Sequence, residues 1–339
     1  MNAGTNRVDD GLELRAYRSV DRQAVIALLA ASLGREDDPR FEALYAWKHE
    51  ENSFGVSPAW VAVDGEKIVG IRVLMRWQFS DGVRDFSAVR AVDTATHPEY
   101  QGRGIFTRLT KLGLSELGGE SETFGAAVDF VFNTPNDQSR PGYLKMDWQV
   151  VGRLPVSVRP SSPFAIRRML RARVPAERWS EVSTGGASAS DVLSDAAAVT
   201  ALLASTRKQD QRLQTKKSAE FLAWRYATPL LGYRAVVGSG GIEGGLAIFR
   251  VRRRGEAREA ALVELIIPSG KPNAARALAR QVRKAADCDF AIALGDRVPG
   301  FLPFPRQGPV LTWRHLTLER SQVPKSADLA LTLGDIELF

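Results

Sequence analysis

The chain has little of what many site chemistries need. Among 339 residues there is one cysteine, Cys288, so an internal disulfide and a cysteine-based metal site are excluded. The three histidines, His49, His97 and His315, lie far apart in sequence, which leaves no histidine constellation for zinc and no expected metal. No apolar run approaches bilayer length, and MNAGTNRVDDG lacks the apolar core of a signal peptide, so the cytoplasm is the expected compartment. Charge of neither sign is scarce: 46 Lys and Arg face 39 Asp and Glu, for a net charge of +7. The basic residues gather at Arg159–Arg178 and Arg250–Arg254, but no nucleic-acid recognition motif accompanies them. The bland reading of these clusters is a solvated surface and connector; the other is a site for anionic phosphates. At this length, two domains with separate cores are expected.

What is present concentrates in two stretches. Residues 92–109 read VDTATHPEYQGRGIFTRL. An apolar run ends at Thr96-His97-Pro98, and a helical apolar spacing then starts at Ile105 and continues through Phe106, Leu109 and Leu112. Gly102 and Gly104 permit a tight turn between them. A helix that begins there presents unpaired N–H groups, a socket for a phosphate anion. The second stretch, residues 136–148, reads NDQSRPGYLKMDW and follows the apolar segment Ala126–Phe132.

The chain also repeats itself. DRQAVIALLA at 21–30 matches DAAAVTALLA at 195–204 in seven of ten places. Ala46-Trp47-Lys48 pairs with Ala223-Trp224-Arg225, Trp60–Val63 with Arg234–Val237, and Pro141-Gly142-Tyr143-Leu144 with Pro299-Gly300-Phe301-Leu302. The order is kept throughout, which marks an internal duplication. The second copy has Pro268-Ser-Gly-Lys-Pro where the first has its glycine turn, and Phe301 where the first has Tyr143. It keeps what packs and loses what reacts.

The strand-loop-helix order with Gln101, Gly104 and Phe106 spaced as they are resembles the pyrophosphate loop of the GNAT superfamily of acyl-CoA-dependent N-acyltransferases, with Phe106 where that family usually has Gly or Ala. Asn136, Ser139, Tyr143, Lys145 and Trp148 fall in register with its second motif, and Asp147 replaces a Gly. The resemblance covers roughly residues 12–155. It implies an α/β fold, a mixed and mostly antiparallel sheet flanked by helices, in two tandem GNAT-like domains.

The expected layout is a catalytic domain at 1–155, a basic Pro/Gly/Ser-rich connector at 156–190, a degenerate second domain at 191–320 and a C-terminal strand at 321–339 packing on the body. Consecutive strands are expected at Trp60–Val63, Ile68–Arg76 and Ala88–Thr96. The resemblance further implies that the strand at 88–96 parts from the strand at 126–132 to admit the pantetheine arm of acetyl-CoA or another acyl-CoA. Ala95, Thr96, Gln101, Gly102, Arg103, Gly104, Ile105, Phe106, Asn136 and Ser139 would then bind it.

Tyr143 takes the place of the general acid that protonates the departing thiolate. Asp93 is a candidate base; Asp129 and the C-terminal carboxylate of Phe339 are others, the last because some duplicated relatives of the enhanced-intracellular-survival type feed their C-terminus into the cleft. Glu36-Asp37-Asp38 is either an acceptor-attracting loop or an acidic surface, and Trp60, Trp77 and Trp148 either line a pocket or belong to the core. The expected reaction is N-acetylation of a primary amine on a small molecule. A protein or peptide acetyltransferase and a non-catalytic acyl-CoA sensor are the alternatives. Oligomeric state is not legible.

Overall fold

The computed structural model describes residues 6–7, 11–206, 212–296, 298–318 and 324–337. Along the chain run β1 (Asn6–Arg7), β2 (Glu13–Ala16), α1 (Arg22–Ser32), α2 (Phe41–Tyr45), a π-helical turn (Ala46–Glu50), β3 (Ala59–Asp64), β4 (Lys67–Ser80), β5 (Asp85–Thr96), α3 (Ile105–Leu117), β6 (Phe130–Asn133), α4 (Arg140–Leu144) and β7 (Gln149–Arg153). Then follow β8 (Val156–Pro160), α5 (Pro163–Arg171), β9 (Ala187–Ser188), α6 (Ala189–Leu193), α7 (Ala196–Thr206), β10 (Gln214–Thr215), α8 (Ala219–Tyr226), β11 (Arg234–Gly238), β12 (Gly241–Arg254), β13 (Ala257–Ile266), α9 (Pro272–Ala286), β14 (Phe290–Leu294), β15 (Leu302–Phe304), β16 (Val310–His315) and α10 (Leu333–Ile336). They form two compact units, each with its own mixed, mostly antiparallel sheet.

The first unit comprises residues 1–79, 86–151 and 311–323. Its sheet runs β1-β2-β3-β4-β5-β6-β16-β7. Side chains alternate along β3: Trp60 and Ala62 face α3, beside Ile105, Leu109 and Leu114, whereas Ala59, Val61 and Val63 face α1 and α2, beside Val25, Leu29 and Phe41. Both faces of this sheet are therefore covered, which is why its central strands read as continuous apolar runs. β5 and β6 of this sheet run parallel, Ala88–Arg90 against Phe130–Phe132. Beyond it β5 continues for six residues, whereas β6 ends at Asn133.

The second unit comprises residues 80–85, 152–310 and 324–339, and its sheet runs β15-β8-β14-β13-β12-β11-β9. β12 and β13 present Ala247, Phe249, Val251, Ala260 and Leu262 to α9, where Leu278, Ala279 and Val282 meet them. Phe301 packs in this cluster.

Three expectations about the layout give way to the structure. The first unit is not closed by residue 155. β16, some 155 residues downstream of β7, sits between β6 and β7, while β8, directly after β7, sits between β14 and β15 of the other sheet. The halves have traded one strand each. Residues 156–190 are accordingly more than a connector: they supply β8 and α5, the helix started by Ser162, whose hydroxyl accepts from the Ala165 N–H. The tail at 321–339 is not a strand. In its described part Leu329 makes one isolated bridge to Leu213, and 333–336 is helical, with Asp335 accepting from the Thr332 N–H and hydroxyl in a capping box. This tail is anchored by charge. The Glu337 carboxylate accepts from Arg250 (2.9 Å) and Arg252 (2.7 Å), and the Gly334 carbonyl accepts from Arg225 (2.9 Å), all buried. No helix among the described residues is long and apolar enough to cross a membrane.

Candidate active site

In the first unit, residues from both sequence motifs meet at one cleft. It measures about 770 Å³, and Thr94, Ala95, Thr96, Pro98, Gln101, Asn136, Gln138 and Ser139 line it together with Ala31 and Ser32 at the end of α1. The chain makes this cleft by ending β6 early. The segment 126–132 was expected to be strand, but only Phe130 onward pairs. Just before β6, Asp129 is held on both sides: its N–H donates to the Ser87 carbonyl, its carboxylate accepts from the Ser87 N–H and the Thr317 hydroxyl, and its carbonyl accepts from the Leu316 N–H. That ties Asp129 to the far end of β5 and β6, away from the cleft.

The turn before α3 has the expected form. Gly102 (φ 79°) and Gly104 (φ 69°) both take left-handed conformations, and Gly104 is the N-cap. A glycine cap has no side chain to offer, so the first N–H groups of α3 are left for a ligand or solvent. Arg103 lies over the Tyr100 ring at 4.8 Å, with the Tyr100 hydroxyl donating to Asp64. Ile105 is buried in the core. Phe106, the bulky departure from the family pattern, turns inward. Its ring meets that of Tyr143 edge-on at 5.4 Å, so the side chain leaves the helix start open. Asp147, the other departure, sits at φ 67°, the left-handed conformation a glycine would take without cost. Asn136 and Ser139 are joined, with Asn136 Oδ1 accepting from the Ser139 N–H (2.8 Å) and hydroxyl (2.9 Å) ahead of α4.

Tyr143 is 5 % exposed and packed between Phe106 and Trp148. Its phenol oxygen accepts from Nη1 of Arg72 at 3.0 Å. Trp148, Trp60 and Trp77 are all core residues, at 3 %, 0 % and 1 % exposure, rather than pocket walls.

Asp93 stands one residue before Thr94 and has φ 24°, an outlier for a non-glycine residue inside a strand. Its carboxylate is already engaged. Oδ2 receives Lys48 Nζ at 2.6 Å and His49 Nε2 at 2.7 Å, and the other ring nitrogen of His49 meets the Ser57 hydroxyl at 3.0 Å. Burial alone would raise the Asp93 pKa, but the Lys48 charge and the His49 hydrogen bond outweigh it and hold the carboxyl well below the usual carboxylate range. A group held that firmly ionised is a weak proton acceptor. For His49, burial dominates over the neighbouring carboxylate and lowers its pKa. Lys48 and His49 come from the π-helical turn after α2; nothing in the sequence points from residues 48 and 49 to residue 93. Arg72 likewise carried no motif.

In the acidic loop one carboxylate is paired. Asp38 accepts from the backbone and guanidinium of Arg40 (both 3.1 Å), and residues 34–40 line a shallow hollow of about 430 Å³. Phe339, whose carboxylate was a candidate base, lies outside the described residues.

Comparison with known proteins agrees with this geometry. Residues 13–151 match the Acetyltransferase (GNAT) domain. Acyl transfer is the chemistry that this domain match supports. Among solved structures, a conserved protein of unknown function from Enterococcus faecalis V583, described as a probable N-acyltransferase, superposes with a TM-score of 0.62 at 12 % identity over 91 % of this chain and 73 % of its own. GCN5-related N-acetyltransferases from Kribbella flavida (TM-score 0.59, 16 % identity, 91 % and 72 % covered) and Anabaena variabilis ATCC 29413 (0.59, 13 %, 89 % and 73 %) share the fold over the same extent. No curated protein sequence matches the chain.

Proposed function

We propose that the chain is an acyl-CoA-dependent N-acyltransferase that acylates a primary amine on a small molecule at the cleft of its first unit. The observation that carries this reading is the convergence of Thr94–Thr96, Gln101, Asn136 and Ser139 on one cleft beside the uncapped start of α3. The open N–H groups of residues following Gly104 suit a pyrophosphate, and the unpaired end of β5 offers backbone groups to an amide-rich arm. Acyl-CoA supplies an activated thioester whose cleavage leaves a thiolate in need of a proton. Tyr143 donates that proton. Asp93 is assigned a different task from the base expected of it. With Lys48 and His49 it braces the strained backbone that presents Thr94–Thr96, and the ammonium of the acceptor loses its proton to water. The second unit, with Phe301 in place of the phenol and Pro272 at the start of α9, binds no acyl-CoA in this reading.

A thiol-release assay with acetyl-CoA and longer acyl-CoAs against a panel of amines tests the assignment. Wild type should turn over. Tyr143→Phe should bind acyl-CoA normally and turn over about a hundredfold more slowly. Full turnover by the variant, with chemistry limiting, would make Tyr143 a packing residue. Binding without turnover in wild type would favour the sensor alternative. Across acceptors of different basicity, the acidic limb of the rate profile should follow the acceptor amine; a fixed limb would restore an enzyme base.

A further inference from the structure

We propose that Arg72 is the positioning residue for proton donation by Tyr143: its guanidinium fixes the phenol so that the O–H hydrogen is free for the departing sulfur, and its charge stabilises the phenolate left behind. This inference rests on the acyl-transfer reading above.

The hydrogen-bond inventory sets the direction. A guanidinium only donates, so at 3.0 Å from Nη1 the Tyr143 oxygen must be the acceptor. The phenol hydrogen is thereby turned away from Arg72 and available elsewhere.

The burial of Arg72 calls for such a role. It is 0 % exposed, its Nε and Nη2 have no hydrogen-bond partner, and no carboxylate pairs with it among the described residues. A buried cation with no counter-charge is destabilising by itself. The contrast within the same chain is Arg250, equally buried, whose charge Glu337 meets. What holds Arg72 is a neutral phenol and two ring faces, with the guanidinium carbon 5.4 Å from the Phe106 centroid and 5.5 Å from that of Tyr143. Phe106 thus has a reason to be large: it covers the cation. A site that holds a positive charge against neutral partners is prepared for a negative charge that appears only in turnover.

The second copy supports the coupling. Across β3 the partner of Arg72 is Trp60. The counterpart of Trp60 in the second copy, Arg234, has Phe249 as its partner on β12, buried in the apolar cluster that also holds Phe301. The cation and the phenol are lost together.

The step balances. The amine nitrogen bonds to the acyl carbon as the carbon–sulfur bond breaks, and the electron pair of that bond leaves on sulfur. Tyr143 gives its proton to sulfur, producing the thiol. The phenolate beside Arg72 is reprotonated from water, which has taken the proton lost by the amine.

The test is a double-mutant cycle in the full chain. Thiol release at saturating acyl-CoA is measured for Arg72→Gln, Tyr143→Phe and the pair, with CoA affinity by calorimetry and folding by thermal melts. Arg72→Gln should lower kcat by about tenfold to a hundredfold with CoA affinity unchanged. The pair should be no slower than Tyr143→Phe alone, because Arg72 has nothing left to position. Guanidinium in the buffer should restore part of the rate of Arg72→Ala and none of that of Tyr143→Phe. If the neutral variants do not fold, Arg72→Lys carries the same cycle, with a smaller loss and the same non-additivity. Additive losses would overturn the proposal by making Arg72 a general packing residue. Weakened CoA binding with kcat intact would overturn it by assigning Arg72 to the pyrophosphate. Wild type that releases no thiol from any acyl-CoA would instead remove the acyl-transfer reading itself.

Discussion

Residues 1–155, although they contain both motifs, should not fold by themselves. The missing piece is β16. Of its residues, Leu311, Thr312 and Trp313 are at most 1 % exposed, and Trp313 stacks on Phe130 with ring centroids 3.6 Å apart. Four of its residues, Thr312 to His315, pair with Asn133 to Phe130 of β6. Losing a buried Leu and a buried Trp costs about 5–10 kcal/mol together, before any ladder hydrogen bond is counted. Total stability of a domain is only about 5–15 kcal/mol. The remedy is equally specific. The Leu154 N–H donates to the Pro309 carbonyl at 2.9 Å, so the end of β7 and the start of β16 already lie side by side. A chain of residues 1–154 joined through a short glycine-rich turn to residues 309–318 replaces the traded strand with a hairpin. Thermal melts followed by circular dichroism, with amide NMR dispersion, should show cooperative unfolding for the rewired chain and none for 1–155. A fragment 1–155 that melts as cooperatively as the rewired chain would refute the argument.

Three further outcomes are expected. Gly104→Val forces a β-branched residue into a left-handed cap and should weaken CoA binding by well over about tenfold; calorimetry on wild type should give one CoA per chain, and unchanged affinity in the variant would remove the loop from the site. Glu337→Ala leaves Arg250 and Arg252 short of a counter-charge in the second unit and should cost about 3–5 kcal/mol, read as a lower Tm. Stability should fall on acidification: His49 and Asp93 both have depressed folded-state pKa values, so their contributions are present above the unfolded values and are lost as pH drops, first below the ordinary histidine value of 6.5 and then below the ordinary aspartate value of 3.8. In His49→Gln the first of these two stages of Tm loss should disappear.

The sequence spoke clearly where the signal is local. The glycine turn, the helix opening at Ile105, and the Asn136–Ser139 pair are contiguous patterns, and each stands where its spacing implied. Strand Ala88–Thr96 and the two copies of the Val-Leu-Leu helix were legible for the same reason. Long-range pairing was not. Nothing in residues 46–50 says that the chain turns as a π-helix there and aims Lys48 and His49 at Asp93, because the partner lies over 40 residues away and was read as an isolated carboxylate. Arg72 sits in an apolar run whose alternation predicts only a strand. The strand trade was invisible because β8 and β16 have ordinary strand composition, and either could complete either sheet by pattern alone.

That trade also reverses the order in which the molecule can be finished on the ribosome. Translation proceeds at about 5–20 residues per second. The first half therefore waits roughly 8–30 seconds after β7 is made before its last inner strand arrives, with Phe130 and Phe132 lacking their Trp313 neighbour meanwhile. The second sheet has all of its strands by Phe304, six residues before β16 begins at Val310. The half synthesised first, which holds the cleft, is the half whose sheet closes last.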